Sequence, residues 1–355
     1  MKVLLLSKYS RTGASSRLRT LQYLPYLASQ GIEVTTQTLF DEAYLANLYA
    51  SGRRSARHVG NCYVQRLSTL RQAGRYDLLW IEKELFPYFP ALAEALLRRS
   101  GKKYVVDYDD AIFHHYDLAS SRIFRTVLGR KIDNVMRYAA CVVAGNDYLA
   151  ARARAAGARR TEIIPTVVDH TRYRLRPMTP TARPVIGWIG SPSTQKYLLD
   201  IREALKTACA TQGARLVVVG GTPQIAEELR DINVEVVKWS EDSEADCIAR
   251  FDVGIMPLRD GPWEQGKCGY KLIQYMACGV PVIASRVGAN IDIVEKSQSG
   301  LLAGSIPEWS EGFRRLLGSA EERRRLGQLG REAVVSHYSL QSQAPVLAGI
   351  FRGLQ

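Results

Sequence analysis

Residues 264–288 of this chain, EQGKCGYKLIQYMACGVPVIASRVG, decide how the rest of the sequence is interpreted. A polar, glycine-rich loop leads into a short helix predicted over Leu272–Ala277, and the apolar run Val280–Ala284 predicts a buried strand. Backbone N–H groups at such a loop-to-helix junction attract anions, and Lys267 and Lys271 add positive charge beside them. The stretch therefore predicts a holder for a phosphate-bearing ligand.

The whole chain alternates short apolar runs with segments of helical periodicity, which indicates an α/β fold with parallel sheets and right-handed crossovers. A length of 355 residues is too great for one ordinary core, so we predict two doubly wound domains, 1–170 and 183–337. A proline-rich linker is predicted within 165–184, and a helix over 340–355 is predicted to pack back on the first domain. The predicted strands are Val3–Leu6, Glu33–Thr38, Leu78–Ile81, Tyr104–Val106, Cys141–Ala144, Val185–Ile189, Arg215–Val219, Val234–Val237, Val253–Pro257 and Val280–Ala284. The predicted helices include Arg17–Gln30, Pro87–Arg99, Ile123–Tyr138, Leu198–Gln212 and Leu272–Ala277.

The net positive charge of the chain comes entirely from its first half. The formal net charge is +13, and residues 1–176 hold 28 Lys and Arg against 15 Asp and Glu. Nucleic acid, an anionic lipid surface, an anionic substrate or a merely solubilising surface each accounts for such an excess. No apolar run is long enough to predict a spanning helix, and six scattered cysteines suit a reducing cytosol. The two predicted basic clusters are Arg53, Arg54 and Arg57, and Arg66, Arg71 and Arg75.

Polar residues follow several predicted strands of the first half. The loop 7–19 is rich in hydroxyls and precedes a helix, so it is either an anion contact or a plain turn. Asp107 to Asp110 follow the strand Tyr104–Val106, where Asp109 and Asp110 suit a polar substrate, a metal or acid–base chemistry, or simply cap a loop. Glu84 has the same placement after an earlier strand.

Two features of the second half extend the phosphate prediction. Ser191 and Lys196 lie in a turn between the strand Val185–Ile189 and a helix, where Lys196 offers a point charge or is a solvated lysine. Trp239 follows a strand and is suited either to stacking on a nucleobase or to packing in the core.

Several motifs together resemble the retaining glycosyltransferases of the large bacterial family 4, the glycosyl transferases group 1. The resemblance covers most of the chain and is strongest over 185–304. It implies the GT-B architecture, two Rossmann-like doubly wound domains facing one cleft, with a nucleoside-diphosphate sugar held by the second domain and no bound metal or other cofactor. The motifs are DVGIMPL (252–258), MACGVPVIAS (276–285), VVAGNDYL (142–149), IIPTVVD (163–169) and SGLL (299–302).

This sequence departs from the family pattern at both positions where that pattern places a glutamate. Gly266 and Gln274 occupy them, and Ser191 stands where an arginine is usual. The resemblance then implies that Gln274 bonds the ribose, that Glu264 contacts the donor sugar, and that Lys271 supplies the missing charge. The donor-binding residues it implies are Gly13, Ser191, Lys196, Trp239, Lys267, Cys268, Gly269, Tyr270, Lys271 and Gln274.

The resemblance implies front-face hexosyl transfer with retention of configuration. Lys196 and Lys271 would stabilise the leaving diphosphate, while Asp109, Asp110 and Glu264 complete the predicted catalytic set. Arg17, Glu84 and His115 are predicted to bind a glycan or lipid-linked diphosphate acceptor. We expect a cytoplasmic enzyme of polysaccharide or lipopolysaccharide assembly, peripheral on an anionic membrane and without a nucleic-acid partner. A sugar-nucleotide 2-epimerase on the same fold and a non-catalytic nucleic-acid-binding module are the alternatives.

Overall fold

The computed structural model describes residues 1–42, 44, 55–176 and 183–355, which form two compact units. The first unit comprises Met1–Thr166, Gly266–Cys268 and Gln343–Gln355, and the second comprises Val167–Gln265 and Gly269–Ser342. Arg53 and Arg54 of the predicted basic clusters, and residues 177–182 of the predicted linker, lie outside the described residues.

The first unit contains a six-stranded parallel sheet with the order β2-β1-β3-β4-β5-β6. Its strands are β1 (Lys2–Tyr9), β2 (Glu33–Phe40), β3 (Leu78–Glu82), β4 (Tyr104–Tyr108), β5 (Cys141–Ala144) and β6 (Thr161–Ile163). Its helices are α1 (Ala14–Arg19), α2 (Leu24–Ser29), α3 (Ala56–Leu70), α4 (Leu92–Arg99), α5 (His114–Asp117), α6 (Arg122–Leu128), α7 (Lys131–Tyr138) and α8 (Asp147–Ala155), with 3-10 turns at Leu21–Tyr23 and Ala73–Arg75.

The second unit contains another six-stranded parallel sheet, ordered β12-β11-β10-β7-β8-β9. Its strands are β7 (Val185–Ile189), β8 (Arg215–Val219), β9 (Val234–Val237), β10 (Val253–Met256), β11 (Val282–Ser285) and β12 (Gly300–Ala303). Its helices are α9 (Arg202–Gln212), α10 (Gln224–Glu228), α11 (Glu244–Ile248), α12 (Pro262–Gln265), α13 (Tyr270–Ala277), α14 (Ala289–Ser297), α15 (Ile306–Gly318) and α16 (Ala320–His337), with 3-10 helices at His170–Arg172 and Pro192–Ile201.

The chain ends in α17 (Leu340–Arg352), of which Gln343 onward belongs to the first unit. The Phe351 ring packs edge to face on the buried Trp80 of β3, with ring centroids 5.2 Å apart. Aromatic pairs in this geometry add about 0.5–1.5 kcal/mol beyond the area they bury. The last helix therefore contributes to the core of the first sheet. Within the described ranges, none of the helices combines the length and apolarity needed to cross a lipid bilayer.

The predicted α/β class is confirmed, and the ten predicted strands all exist. The two strands that were not predicted, β6 and β12, lie at sheet edges and keep mostly half-exposed side chains, so they lack a buried apolar run. Four of the predicted helices were wrong in extent, since those predicted over Pro87–Arg99 and Leu198–Gln212 begin as α-helix only at Leu92 and Arg202. The helix predicted over Arg17–Gln30 is broken because Pro25 begins a new helix, and the one over Ile123–Tyr138 divides near Gly129.

Candidate functional site

The strand order places a topological switch point in each sheet, where ligands of doubly wound folds bind at the carboxyl ends of the strands. In the first sheet the order changes direction between β1 and β3. Glu82, the last residue of β3, is buried there and its Oε2 accepts from the Lys8 backbone N–H at 2.8 Å and the Ser16 hydroxyl at 2.7 Å. Burial raises the pKa of Glu82 against the opposing charge of Lys83 and these hydrogen bonds. The end of β3 is thus hydrogen-bonded to the end of β1 and to α1.

Lys83 forms the centre of a charged cluster at this switch point. Its Nζ lies 2.8 Å from Asp109 Oδ1 and 3.9 Å from Asp110 Oδ2, and it donates to the Ser15 hydroxyl at 3.2 Å. Ser15 in turn donates to Asp109 Oδ2 at 2.6 Å. Lys83 also has a φ of 65°, in the left-handed region that a residue with a Cβ rarely adopts. Strain of this kind persists where surrounding contacts hold it, and such positions concentrate at functional sites.

The two neighbouring carboxylates of this cluster titrate differently. Burial alone would raise the pKa of Asp109, but the Lys83 charge and the hydrogen bonds from Lys83 and Ser15 outweigh it and hold the pKa at about 2. The pKa of Asp110 is raised by burial and by the charge of Asp109, against the pull of Lys83 and of Lys267, whose Nζ lies 3.8 Å away. Two adjacent carboxyls whose pKa values are pushed apart suit different roles at one site.

A second buried ion pair, between Arg19 and Asp107, accompanies the cluster. Arg19 donates two hydrogen bonds to Asp107, at 2.8 and 2.9 Å, and a third to the Ile164 carbonyl at 2.8 Å. Both side chains are nearly fully buried. Neither Arg19 nor Lys83 was predicted as a site residue, although Arg19 ends the predicted loop 7–19 and Lys83 directly precedes Glu84. A basic residue next to the end of a buried strand, facing acids at the end of another, is the signal that would have found them.

The loop residues Gly266–Cys268 belong by their contacts to the first unit. The Cys268 thiol donates to the Asp109 carbonyl at 3.1 Å, and the Asn146 amide donates to the Lys267 carbonyl at 3.0 Å. A Cβ at position 266 would lie 2.4 Å from the Ala111 Cβ and 2.7 Å from the Ala111 nitrogen. The loop that follows Asp109 and Asp110 therefore fills the space that a side chain at position 266 would need. This explains why a glycine, Gly266, stands at a position where the family pattern has a glutamate.

The structure places the predicted acceptor residues in different surroundings. Glu84 is buried, forms an ion pair with Lys131 and accepts from the Tyr116 hydroxyl at 2.8 Å, which is a structural role. Its predicted role as an acceptor ligand stays a prediction. His115 is exposed, and burial of part of its ring together with the Lys8 charge lowers its pKa. Arg17 is half-buried on α1, which begins after Gly13.

The switch point of the second sheet lies between β7 and β10. The Lys271 ammonium, near the start of α13, lies 5.4 Å from the centroid of the buried Trp188 ring in β7. A Cβ at Gly190, directly after β7, would lie 2.8 Å from Lys271 Cε and 2.6 Å from the Trp188 ring. The absence of a Cβ at Gly190 thus lets the Lys271 side chain pack at the end of the central strand, where its positive charge suits a phosphate.

The loop after β7 carries Ser191 and Lys196 on an exposed 3-10 helix. The Ser191 and Ser193 hydroxyls lie 2.9 Å apart, and Lys196 Nζ lies 5.4 Å from the centroid of the Tyr197 ring. The Tyr197 hydroxyl donates to Glu264, which fixes the predicted sugar ligand of α12 beside this loop. Lys196 lies in the loop after β7 and Lys271 near the start of α13, and their joint action on one diphosphate stays a prediction.

A chain of hydrogen bonds occupies the remaining donor candidates. Gln274 Nε2 donates to the Tyr173 hydroxyl at 3.2 Å, which donates to Glu244 Oε1 at 2.7 Å. The Trp239 indole N–H donates to the other oxygen of Glu244 at 2.9 Å. Gln274 is buried, and a carboxylate in its place would have no N–H for Tyr173, whose single hydroxyl proton already goes to Glu244. This explains the amide at the second position where the family pattern has a glutamate.

The remaining loop candidates lie at the start of α13. Gly269 precedes the helix with a φ of 66°, and a Cβ there would lie 2.3 Å from Ile293 Cδ1. Tyr270 is the first residue of α13. The predicted approach of their amides to a diphosphate stays a prediction, as does the absence of a metal. Among the described residues, no group of three or more His, Cys, Asp or Glu is arranged to hold a metal ion.

Comparison with known proteins finds similarity to glycosyltransferases. Residues 183–319 match the family described as "Glycosyl transferases group 1". The chain is 29% identical over 183 residues to the GDP-mannose-dependent alpha-mannosyltransferase of Mycolicibacterium smegmatis, which covers 50% of this chain and 44% of that protein. The chain spans less than half the length of the curated relatives that it matches.

Solved structures share the fold of nearly the whole chain. Sucrose-phosphate synthase of Thermosynechococcus elongatus superposes with a TM-score of 0.76 at 18% identity, covering 100% of this chain and 99% of that one. HepE of Anabaena, solved with UDP, gives 0.75 at 16% identity, covering 99% and 100%. The predicted GT-B fold is confirmed, and the segment that matches the glycosyl transferases group 1 family, residues 183–319, lies almost wholly in the second unit.

Proposed function

We propose that the chain is a glycosyltransferase that uses a nucleoside-diphosphate sugar. The observation that carries this proposal is the position of Lys271. Its side chain packs against Gly190 and the Trp188 ring at the switch point of the second sheet, inside the segment that matches the group 1 family. In glycosyl transfer, negative charge grows on the leaving diphosphate, and a preorganised cation there stabilises the transition state more than the bound substrate.

The proposed reaction is transfer of a hexose with retention of configuration. The bond between the anomeric carbon and the diphosphate oxygen breaks, and a bond to an acceptor oxygen forms on the same face. The acceptor proton passes to the departing phosphate oxygen, so no protein nucleophile is needed. Lys271 and Lys196 would bind the diphosphate, and Asp110 would hold a sugar hydroxyl while the Lys83–Asp109 pair keeps it in place.

The similar proteins support a nucleotide-sugar donor and differ in its base. HepE binds UDP and UDP-glucose, whereas the mycobacterial relative is GDP-mannose-dependent. We propose a glycan or lipid-linked diphosphate as acceptor, with a role in cell-surface polysaccharide assembly at the membrane. The excess of Lys and Arg in the first half of the chain supports an anionic acceptor or surface.

A donor panel tests the proposal directly. Thermal unfolding is measured with UDP-, GDP-, ADP- and dTDP-sugars, and a ligand at 100 times its Kd stabilises the fold by about 2.7 kcal/mol. The responding donor is then incubated with the protein alone and with lipid-linked or glycan acceptors. Transfer only with acceptor is expected. Conversion of the donor alone into another sugar nucleotide would favour an epimerase, and no response to any donor would overturn the proposal.

A further inference from the structure

The first unit exposes an unusual amount of apolar side chain on three neighbouring helices. Of the fourteen large apolar residues that are exposed among those described, nine lie between positions 64 and 127. Ile123 is 78% exposed, Leu92 67% and Val64 65%. Isolated exposed apolar residues are ordinary, but a contiguous set marks an interaction surface. The set on the three helices is Val64 and Leu67 of α3, Leu92 and Leu96 of α4, and Ile123 and Val127 of α6.

Aromatic residues of the loop 86–89 join these helices into one surface. The Tyr63 ring of α3 packs edge to face on the half-exposed Phe89, 5.6 Å between centroids, and its hydroxyl donates to the Pro87 carbonyl. On the other side the Tyr88 ring lies 6.3 Å from the Phe124 ring of α6. The loop continues directly into α4. We call Val64, Leu67, Tyr88, Phe89, Leu92, Leu96, Ile123 and Val127 the apolar face.

The charge around the apolar face has one sign. On the three helices that carry it, the exposed charged side chains are Arg57 of α3, Arg98 and Arg99 of α4, and Arg122 and Arg125 of α6. Glu94 of α4, the one acid on these three helices, is buried. Arg66 is a correction to the predicted basic cluster, because it is fully buried and donates to the Ser7 carbonyl.

We propose that the apolar face, with its surrounding Lys and Arg, is the surface by which the first unit attaches to a bilayer of anionic lipid. Exposed aliphatic and aromatic side chains that enter the interface, flanked by basic side chains at headgroup level, are what such a surface requires. The inference deepens the proposed function by assigning the membrane contact to named residues. It does not depend on the donor or on the reaction.

Charge also argues against a second copy of this chain as the occupant. A symmetric dimer would place the same face of each protomer against the other, so that the exposed arginines of these helices would approach those of the second copy with no exposed acid on the helices to offset them. An anionic headgroup layer instead supplies the opposite charge over the whole area. The bilayer is therefore the partner that satisfies both the apolar and the basic side chains.

Vesicle co-sedimentation of the full chain tests the assignment. Vesicles of phosphatidylcholine alone and with 30% phosphatidylglycerol, a mole fraction of roughly that size being enough for a negative surface, are compared at low and high salt. Binding is expected to the anionic vesicles and to weaken with salt. Replacing both Ile123→Ser and Val127→Ser is expected to weaken binding about tenfold, because the apolar contact is lost. Replacing both Arg99→Gln and Arg122→Gln is expected to weaken it about 30-fold.

Matched variants control for charge and surface apolarity as such. Val335→Ser with Val346→Ser removes apolar side chains that are each 43% exposed elsewhere, and Arg230→Gln with Arg324→Gln removes two exposed charges of the second unit. Both controls are expected to bind like the unchanged protein. Equal losses in test and control pairs, no binding to anionic vesicles, or equal binding to neutral ones would overturn the assignment.

Two further measurements distinguish membrane attachment from dimerisation and from donor binding. Sedimentation velocity without lipid is expected to show the same oligomeric state for all variants, and a change caused by Ile123→Ser and Val127→Ser would assign the face to a dimer instead. Donor-induced thermal stabilisation is expected to be unchanged in the same variants. Loss of vesicle binding with intact donor response supports the surface, whereas failure of the donor panel leaves the vesicle result standing and bears only on the proposed function.

Discussion

The two switch points of the molecule carry residues of opposite chemical character. At the first, Glu82, Asp109 and Asp110 are arranged around Lys83, and each of these four side chains has a hydrogen-bond or ion-pair partner. At the second, Gly190 and Lys271 bring backbone and positive charge together. An acidic, hydrogen-bonding cluster suits sugar hydroxyls, whereas a basic, glycine-lined strand end suits phosphate. The same topology therefore serves two chemistries through the residues after its strands.

Lys83→Met breaks the first switch point and is expected to have the largest effect. It leaves Asp109 and Asp110 adjacent and buried without their main counter-charge, and removing one partner of a buried pair costs about 3–5 kcal/mol. Urea unfolding measures the free energy. The double variant Lys83→Met with Asp109→Leu should recover part of the loss, because the carboxylate closest to Lys83 is then gone and Asp110 still faces Lys267. A single variant as stable as the unchanged protein would show that the cluster is not coupled.

Lys271→Met breaks the second switch point without comparable loss of stability. The side chain keeps its contact with the Trp188 ring but loses the charge, so transfer should fall about 100- to 1,000-fold. Initial rates with the donor found in the panel measure the effect. Lys296→Met is the matched control, because Lys296 is an exposed lysine of α14 paired with Asp292, and its rate should stay within twofold, a change of about 0.4 kcal/mol. Near-normal transfer by Lys271→Met would remove its assigned role.

The acid limb of stability sharpens the comparison at Asp109. Its folded pKa is about 2, below the ordinary value of 3.8, so the folded state favours the carboxylate. The resulting stability, about 2 kcal/mol, is present above pH 4 and is lost as the pH falls from about 4 through 2. Asp110 has the opposite sign, since its pKa is raised and its contribution is lost as the pH rises through the folded pKa.

Urea unfolding between pH 2 and 7 separates these two carboxyls. Asp109→Asn should flatten the acid limb, while Asp110→Asn should leave it in place and keep or slightly raise the stability at pH 7. Asp242→Asn, at an exposed site of the second unit, serves as the control. Identical acid limbs in the Asp109 and Asp110 variants would contradict the assignment of their charges.

Gly266→Ala tests the explanation for the first missing glutamate. The added Cβ would lie 2.4 Å from the Ala111 Cβ, and overpacking of this kind costs about 1–3 kcal/mol. Gly318→Ala is a suitable control because a Cβ there would meet nothing within 4 Å. Thermal unfolding compares the two. Equal melting temperatures would show that the acidic loop yields to a side chain at position 266.

Strand positions were predictable from sequence because each buried strand is an apolar run between turn residues, as Val185–Ile189 illustrates. The site was predictable only in part. Asp109 follows a predicted strand, so topology alone brings it to a strand end, and Lys271 directly precedes a predicted helix. Lys83 and Arg19 could not be assigned, because their partners are 26 and 88 positions away and pairing depends on side-chain direction. The reasons for Gly266 and Gln274 lie in neighbours that no local pattern specifies.

Gln274→Glu is expected to have the smallest effect and tests the second missing glutamate. The carboxylate would no longer donate to the Tyr173 hydroxyl, and that hydroxyl has one proton for two acceptors, Glu244 and the new side chain. The loss of one hydrogen bond costs about 1 kcal/mol. The double variant Gln274→Glu with Tyr173→Phe should be less stable than Gln274→Glu alone, because the hydroxyl proton that the two carboxylates share is then removed. A stability gain from Gln274→Glu alone would mean that the buried chain from Gln274 to Trp239 does not hold this part of the second switch point together.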